Sequence, residues 1–392
     1  MSSTKPSPRK LRIAVLNRHF GKRFGGAEHY SAALVEQLAR RYEIHVFAQE
    51  IEHQIPGVHD HKISRPCTKP RWLNQIWYST TTWWLTRRGF DLVHSHENTW
   101  HGDIQTIHVR PFRTGLFHGR MGLRRWIRWL SLWTSPRLMS YWYLESLRMQ
   151  PREGRSIVAT SEMVKQEILQ AYPHVSPILH TVAPGVNLPP DLQDRQDKQA
   201  KMRASLNLPQ NVMLALFVGN DYIKKGLPTL LRALAQLPGI HLAVAGKPTH
   251  QSDCQQLAQS LGLNSRVHFL GSLPSVASAY EAADLLVHPT LEDTYAMVVL
   301  EAMAHALPVI VSGPKYCGIS ATLVDGREAL LLENPLDPEE LAKKIEQIAG
   351  TMATQRPLNI AGRNFARQND WQAVARSYET LYARAAAKKF SD

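Results

Sequence analysis

The stretch His288–Ser312, HPTLEDTYAMVVLEAMAHALPVIVS, constrains this chain more than any other. A short apolar strand ends at Pro289. A polar turn follows with Glu292, Asp293 and Thr294, then a helix with Glu301 on its second turn, then an apolar strand after Pro308. Strand, turn, helix and strand in this order belong to a parallel sheet, whose strands are covered on both faces and read as unbroken apolar runs. The same unit aims N–H groups out of its turn, so the helix start is a ready anion site. Asp293 and Glu301 bracket that site and suit hydroxyls rather than phosphate. An anion beside hydroxyl-rich groups is the chemistry of a nucleotide-sugar. A Glu on such a helix also occurs as a solvated or capping residue, so the residues alone leave both readings open.

Strand-like runs recur at Leu11–Asn17, Glu43–Ala48, Asp91–Ser95, Gln105–Val109 and Ser156–Thr160, with helical spacing at Ala27–Arg41. Val182–Asp191 is rich in Pro, and the polar run Gln193–Lys201 follows it; both are expected to form an interdomain linker. Alternation then restarts. Strands are expected at Leu214–Asn220, His241–Ala245, Val267–Gly271 and Leu285–Pro289, and helices at Leu227–Gln236, His250–Leu261 and Val276–Ala283. The expected architecture is α/β, with two doubly wound Rossmann-like domains facing a cleft. Their expected bounds are 1–185 and 186–358, followed by a helical tail over 359–392 that contains Trp371.

The 392 residues suit two domains of ordinary size. No run reaches the ~18 apolar residues that cross a bilayer, and the basic N-terminus passes into a strand without a signal-peptide core. Cys67, Cys254 and Cys317 are scattered and form neither a metal spacing nor a disulfide framework, which points to a cytoplasmic setting. The net charge of +13 favours a phosphate-rich partner or an anionic membrane surface. Nine of the ten Trp precede Trp371 in the first half. Between Arg110 and Arg155 ten Arg stand against Glu145 and Glu153, and Arg124, Arg125 and Arg128 interleave with Trp126, Trp129 and Trp133. Such a segment suits a lipid headgroup layer. A solvated basic helix with Trp packed inward is the plain alternative. Base stacking is a third, but no nucleic-acid motif accompanies the segment, so no nucleic-acid partner is expected.

Three further segments carry candidate chemistry. In Phe217–Gly226, FVGNDYIKKG, a strand ends at Gly219 and Lys224 and Lys225 precede a helix, where two cations can hold a diphosphate and stabilise its charge as it leaves. In Arg23–Glu28, RFGGAE, Gly25 and Gly26 allow close approach of backbone to a ligand, or simply make a turn. His94, His96, His101 and His108 cluster near two strand ends; metal ligation is conceivable by residue type, but no Cys or paired acids complete a coordination sphere.

These segments resemble one family. LEAMAHALPVI and the acid eight residues before Glu301 are similar to the signature of retaining glycosyltransferases of the GT-B fold, family 4, which pairs two Glu ahead of an Ala-Met-Ala helix and a Leu-Pro-Val strand. The departures are Asp293 in place of the first Glu, and Thr294-Tyr295-Ala296 where a Gly-aromatic-Gly is usual. FVGNDYIKKG is similar to the family's basic Lys-Gly segment, and its basic pair resembles the glucosyltransferases of lipopolysaccharide core assembly. RFGGAE resembles the family's Gly-Gly loop, and Thr106-Ile107-His108 resembles its T-x-H strand end.

The resemblance implies an N-terminal acceptor-side domain, a C-terminal nucleotide-sugar domain and a C-terminal helix crossing back to the first domain. It implies His108, Lys225, Asp293 and Glu301 as catalytic residues. Gly25, Gly26, Gly219, Lys224, Lys225, Tyr295, Ala296, Met297, Val298 and Glu301 would bind the nucleotide-sugar, and Asp103 would orient the acceptor. Glu301 would accept ribose hydroxyls and Asp293 sugar hydroxyls. The donor is expected to be UDP-linked, the acceptor a lipid-linked or phosphorylated envelope glycan such as lipopolysaccharide core, and the place the inner face of the plasma membrane. No metal or other cofactor is expected, as the chain lacks Asp-x-Asp. A sugar-nucleotide epimerase, a phosphorylase and a non-enzymatic basic binding protein remain as alternatives.

Overall fold

The computed structural model describes residues 9–21, 25–117, 122–189, 194–247, 249–350 and 356–389. The chain forms two compact units, one of Met1–Pro184 with Trp371–Asp392 and one of Gly185–Asp370.

In the first unit the strands are β1 (Arg12–Leu16), β2 (His19–Gly21), β3 (Glu43–Ala48), β4 (Glu50–Glu52), β5 (Val58–Lys62), β6 (Leu92–Ser95), β7 (Ile104–Ile107), β8 (Ser156–Ala159) and β9 (Leu179–Thr181). Seven of them make a parallel sheet in the order β5-β3-β1-β6-β7-β8-β9, and β2 pairs with β4 beside it. The chain winds outward from β1 to β5, then returns to the other side of β1 as β6. Loops after β1 and β6 therefore diverge in opposite directions and leave a crevice at the carboxyl edge. Arg18 and Glu97, one from each loop, close its base with a bond of 2.9 Å.

The second unit repeats the plan with β10 (Met213–Val218), β11 (Ile240–Ala245), β12 (Val267–Gly271), β13 (Leu285–His288), β14 (Val309–Ser312) and β15 (Leu330–Leu332). The order β12-β11-β10-β13-β14-β15, parallel throughout, puts its switch point between β10 and β13. That order brings the loops carrying Lys225 and Asp293 side by side. The core below them is built from Phe217, Tyr222, Leu230, Leu231, Leu242, Val244 and Val287, all buried.

The structure departs from the expected elements in three places. The polar run expected as linker is largely helix Arg195–Ser205. Its amphipathic content is one residue: Arg203, 3% exposed, donates to the carbonyls of Ala282, Gln210 and Val212 and pairs with Asp284 at 2.7 Å. A buried Arg satisfied this way is invisible to an apolar period. The tail expected as one piece divides. Helix Arg356–Gln368 lies in the second unit against helix Met297–Ala304, while Trp371–Lys389 packs in the first against helix Gly26–Leu38, β6 and β7. Finally, helix Arg71–Thr86 has no counterpart in the expected pattern. It is built inside out. Its buried face is Asn74, Gln75, Tyr78, Ser79, Thr82 and Thr86, whereas Leu73, Trp77, Trp83, Trp84 and Leu85 are exposed. The buried polar groups are satisfied: Asn74 and Gln49 exchange two hydrogen bonds, and Gln75 and Ser79 donate to the carbonyl of Asn98.

Arg203→Ala leaves the Asp284 carboxylate, which also accepts the N–H of Leu214, without its cation. Removing one partner of a buried pair costs about 3–5 kcal/mol. Urea unfolding followed by Trp-independent far-UV circular dichroism should show the second unit's transition at a markedly lower midpoint.

Candidate active site

Gly226 makes the close approach at the switch point possible. Its φ is +79°, and a Cβ there would lie 1.9 Å from the carbonyl oxygen of Pro289. With Gly in place, the two loops interlock: Leu291 N–H and the Thr290 hydroxyl donate to the carbonyl of Lys224. Gly246, φ +134°, allows the same contact with Gly219, whose carbonyl oxygen would be 2.1 Å from a Cβ. Gly219 itself follows β10 and leaves room for the Lys225 stem.

Lys225 turns back across this junction. Its ammonium donates to Asp293 Oδ2 at 2.6 Å and to the Glu292 carbonyl at 3.2 Å. Asp293 Oδ2 also lies 3.3 Å from His288 Nε2, and its Oδ1 accepts the N–H groups of Tyr295 and Ala296 at 3.1 and 2.8 Å. Burial opposes the carboxylate charge, but the His288 hydrogen bond and the Lys225 ammonium outweigh it and hold the group well below the usual carboxylate range. Burial likewise lowers His288 against the pull of Asp293, so the imidazole is the neutral donor in this contact. Asp293 is thus occupied on both oxygens. In these contacts it orients Lys225 and shapes the turn.

The helix Met297–Ala304 starts immediately after. Ala296 N–H is taken by Asp293 and Val299 N–H by the Ala296 carbonyl. Of the N–H groups expected to face an anion, those of Met297 and Val298 are left without a partner among the described residues. Ala296 sits at φ +70°, ψ +70°, in the left-handed region where the family usually places Gly. The Tyr295 ring is buried, so only its backbone belongs to the site. Glu301, one turn further along, accepts the Tyr280 hydroxyl on Oε2 at 2.7 Å, and burial next to that carboxylate pushes the Tyr280 phenol well up. Lys224 is exposed. Asn220 accepts Lys247 N–H on its side-chain oxygen at 2.8 Å. His288 and Tyr280 were not apparent from sequence. His288 could have been suspected from its place at the strand end before Pro289; Tyr280 gives no such sign.

The first unit carries a second constellation at the carboxyl ends of β6 and β7. His96 Nδ1 and His108 Nε2 are 2.9 Å apart, with rings stacked at 5.2 Å, and Tyr30 meets His108 edge-on at 4.9 Å. His94 bonds the Tyr382 hydroxyl and Thr106; Thr106 bonds Tyr378; Tyr378 bonds Tyr30. Burial, with the positive charge of Arg148 nearby, holds His94 and His108 down to about 3 and His96 well below its ordinary value. All three are neutral imidazoles. The strand end thus brings His108 to the carboxyl edge of the sheet, the edge at which open α/β folds hold ligands. Asp103 precedes β7, at the opposite edge of the sheet, where its carboxylate accepts Val93 N–H at 2.8 Å. Gly25 and Gly26 cap and open helix Gly26–Leu38; Arg23 and Phe24 of the same segment lie outside the described residues.

A metal-like set does occur, though not among these histidines. Glu43, His45 and His59 bring ligand atoms within 4.8 Å of one another at the amino ends of β3 and β5. Arg12 already donates to Glu43 Oε1 at 2.9 Å and occupies that position.

The alternative of inward-packed Trp in the Arg-rich segment fails for Trp126, Trp129 and Trp133, and three Trp of helix Arg71–Thr86 are exposed as well. Trp77, Trp83, Trp84, Trp126, Trp129 and Trp133 are exposed, together with Leu123, Ile127 and Leu130 of helix Gly122–Thr134. Trp126, Trp129, Leu132, Trp133, Trp142 and Arg113 line a groove of about 620 Å³. The side chains of Arg124, Arg125 and Arg128 fall outside the described residues. Among those described, no helix is long and apolar enough to cross a membrane.

Comparison with known proteins matches each unit to a glycosyltransferase family model. The model for glycosyl transferases group 1 matches residues 198–364, and that for glycosyltransferase family 4 matches residues 24–189. D-inositol 3-phosphate glycosyltransferase of Corynebacterium diphtheriae is 28% identical over 217 residues, 52% of this chain and 50% of the relative. Lipopolysaccharide glucosyltransferase WaaG of Escherichia coli is 32% identical over 163 residues, 40% of this chain and 41% of the relative. The matches thus span half or less of these relatives' length. Among solved structures, WaaG aligns over 94% of this chain and 99% of its own with a TM-score of 0.78 at 19% identity. Anabaena HepE in complex with UDP-glucose aligns over 95% and 100% with a TM-score of 0.73 at 17% identity. These likenesses establish the GT-B fold.

Two substitutions test the turn. Ala296→Gly relieves the left-handed backbone at the cost of some unfolded-state entropy, and should raise stability by up to about 1 kcal/mol in thermal denaturation. Asp293→Asn should cost roughly 3 kcal/mol at neutral pH. Because the folded carboxyl lies below its unfolded value, its contribution is fully present above the unfolded value of about 4 and is lost as pH falls below it. Unfolding measured against pH should show the gap between the two proteins constant near neutrality and closing in acid.

Proposed function

This chain belongs to the group 1 glycosyl transferases of family 4, and we propose that it moves a sugar from a nucleotide-sugar to a lipid-linked or envelope-glycan acceptor with retention of configuration. The observation that carries this reading is the state of Lys225. An ammonium has three N–H donors, and two are spent on Asp293 and Glu292. The third is left for a ligand at the switch point, and the Asp293 carboxylate that holds Lys225 also holds the turn leading into the helix of Met297, Val298 and Glu301. A cation tied to a helix start that carries a hydroxyl-accepting carboxylate matches a diphosphate joined to a ribose.

In this reading the donor diphosphate binds Lys225, Lys224 and the two N–H groups, which stabilise the charge that develops as it leaves. Glu301, steadied by Tyr280, accepts ribose hydroxyls. Asp293 acts through Lys225 and the turn. His108 donates to a hydroxyl of the transferred sugar. The acceptor hydroxyl attacks from the face the leaving group departs, and the leaving phosphate takes its proton, so no protein base and no metal are assigned. The complex of HepE with UDP-glucose supports a UDP-linked donor.

The acceptor side rests on the surface of the first unit. An inside-out helix and a second helix exposing three Trp offer rings that prefer the membrane interface, and the net charge of +13 favours anionic headgroups. We place the protein at the cytoplasmic face of a membrane as a peripheral enzyme, acting on lipopolysaccharide core or a similar glycan.

A thermal-shift panel of UDP-, GDP-, ADP- and CMP-sugars should give one clear stabiliser; no shift with any would count against donor binding. Lys225→Ala should lower kcat by about 10²–10³, as for loss of one oxyanion donor, with melting measured alongside to separate folding effects. Full transfer by both Lys225→Ala and Glu301→Ala would refute the site. Donor incubated alone should return unchanged, which distinguishes an epimerase. Vesicles with anionic lipid should float the protein at low salt, and Trp126→Ser with Trp129→Ser and Trp133→Ser should weaken flotation.

A further inference from the structure

We propose that His96 is a positioning residue that sets the tautomer of His108, so that His108 presents a neutral Nδ1–H to an oxygen of the sugar. The inference rests on the reading of His108 as a sugar contact, and its basis is proton counting.

His96 Nδ1 and His108 Nε2 share one hydrogen bond of 2.9 Å, and both rings are neutral, so a single proton lies between them. Two arrangements are possible. If His96 Nδ1–H donates, the remaining nitrogen of His96, Nε2, is a bare lone pair and the proton of His108 sits on Nδ1. If instead His108 Nε2–H donates, the proton of His96 sits on Nε2 and His108 Nδ1 is bare. The structure distinguishes them at His96 Nε2, which is sealed from solvent and has no hydrogen-bond partner among the described residues. A buried N–H without an acceptor is rarer and harder to accommodate than an acceptor without a donor. The first arrangement is therefore selected.

Its neighbours hold it in place. His94 lies over His96 with ring centroids 4.3 Å apart and is itself fixed by the Tyr382 hydroxyl and Thr106. Tyr30 packs edge-on against His108. Arg148, whose guanidinium bonds Gln105 and the Thr106 carbonyl, keeps a positive charge nearby and disfavours an imidazolium. His108 is only half-buried, and its Nδ1 has no hydrogen bond among the described residues. A neutral N–H at that point selects an oxygen with a lone pair to offer, a sugar hydroxyl, and does not add charge to the diphosphate chemistry.

The test is two-bond ¹H–¹⁵N correlation of histidine-labelled full-length protein, with His108 assigned by loss of its signals in His108→Gln. The expected wild-type pattern is the Nδ1–H tautomer for His108, unchanged between pH 6 and 8. His96→Leu should release His108 to a mixture with the Nε2–H form. His96→Asn, whose amide nitrogen falls near the position of imidazole Nδ1 and still donates, should restore the Nδ1–H form. In sugar transfer, His96→Leu should lose a factor of about ten, the size of one neutral hydrogen bond, with His96→Asn recovering most of it. An Nε2–H tautomer in the wild type, or a His108 tautomer indifferent to His96→Leu and His96→Asn alike, would overturn the proposal. If His96→Leu does not fold, the wild-type and His96→Asn spectra still decide. The spectra do not depend on turnover, so a failure to transfer any sugar would count against the glycosyl-transfer reading and not against the tautomer.

Discussion

The contact between Lys225 and Asp293 holds the second unit's site together. A carboxylate of this burial is tolerated because every lone-pair direction has a donor: an ammonium, an imidazole and two backbone N–H groups. The same contact decides what each partner can do. Lys225 is turned towards the switch point with one donor to spare, and Asp293 is spent. It also explains why Asp and not Glu stands at this position. The bonds from Oδ1 to the N–H groups two and three residues ahead form the short turn that Asp side chains make with their own backbone, and an extra methylene would carry the oxygen past them. The Asp and the left-handed Ala296 are therefore one local solution to starting helix Met297–Ala304.

The first unit depends on a different device, a chain of hydroxyls and imidazoles. Helix Trp371–Lys389 contributes Tyr378 and Tyr382, which bond Thr106, Tyr30 and His94. These bonds seat the last helix of the chain against the strands that carry the histidines. They also deprive His94 of solvent, which with Arg148 keeps the group neutral. A segment nearly three hundred residues away in sequence thereby sets the protonation of the strand-end histidines. The polar inner face of helix Arg71–Thr86 works on the same principle: side-chain amides and hydroxyls satisfied by Gln49 and Asn98 replace apolar packing and leave the Trp rings outside.

Much of the fold was legible in sequence because parallel strands declare themselves. Glu43–Ala48 and Val267–Gly271 match their expected bounds, and most other expected strands differ by a residue or two at each end. What was not legible has a common cause. Arg195–Ser205, Arg71–Thr86 and the inner surface of Trp371–Lys389 bury polar groups, and a buried polar group leaves no apolar period to read. In the site, Lys225, Glu301, Gly219 and the helix start were recognisable from their spacing along the chain. His288 beside Asp293, Tyr280 beside Glu301 and His96 beside His108 were not assigned those roles, since partnership across loops depends on strand order and not on spacing.

Sequence by itself determined two α/β units and the strand-turn-helix segments that carry Lys225, Asp293 and Glu301, because those depend on local backbone preference and on burial of continuous apolar runs. Tertiary structure alone decided which of those groups is available. It paired Lys225 with Asp293, moved Asp103 to the far edge of its sheet and left His96 Nε2 without a partner among the described residues. Each of these follows from which strand lies next to which, and a donor or acceptor is free for a ligand only when no neighbour in the fold has already claimed it.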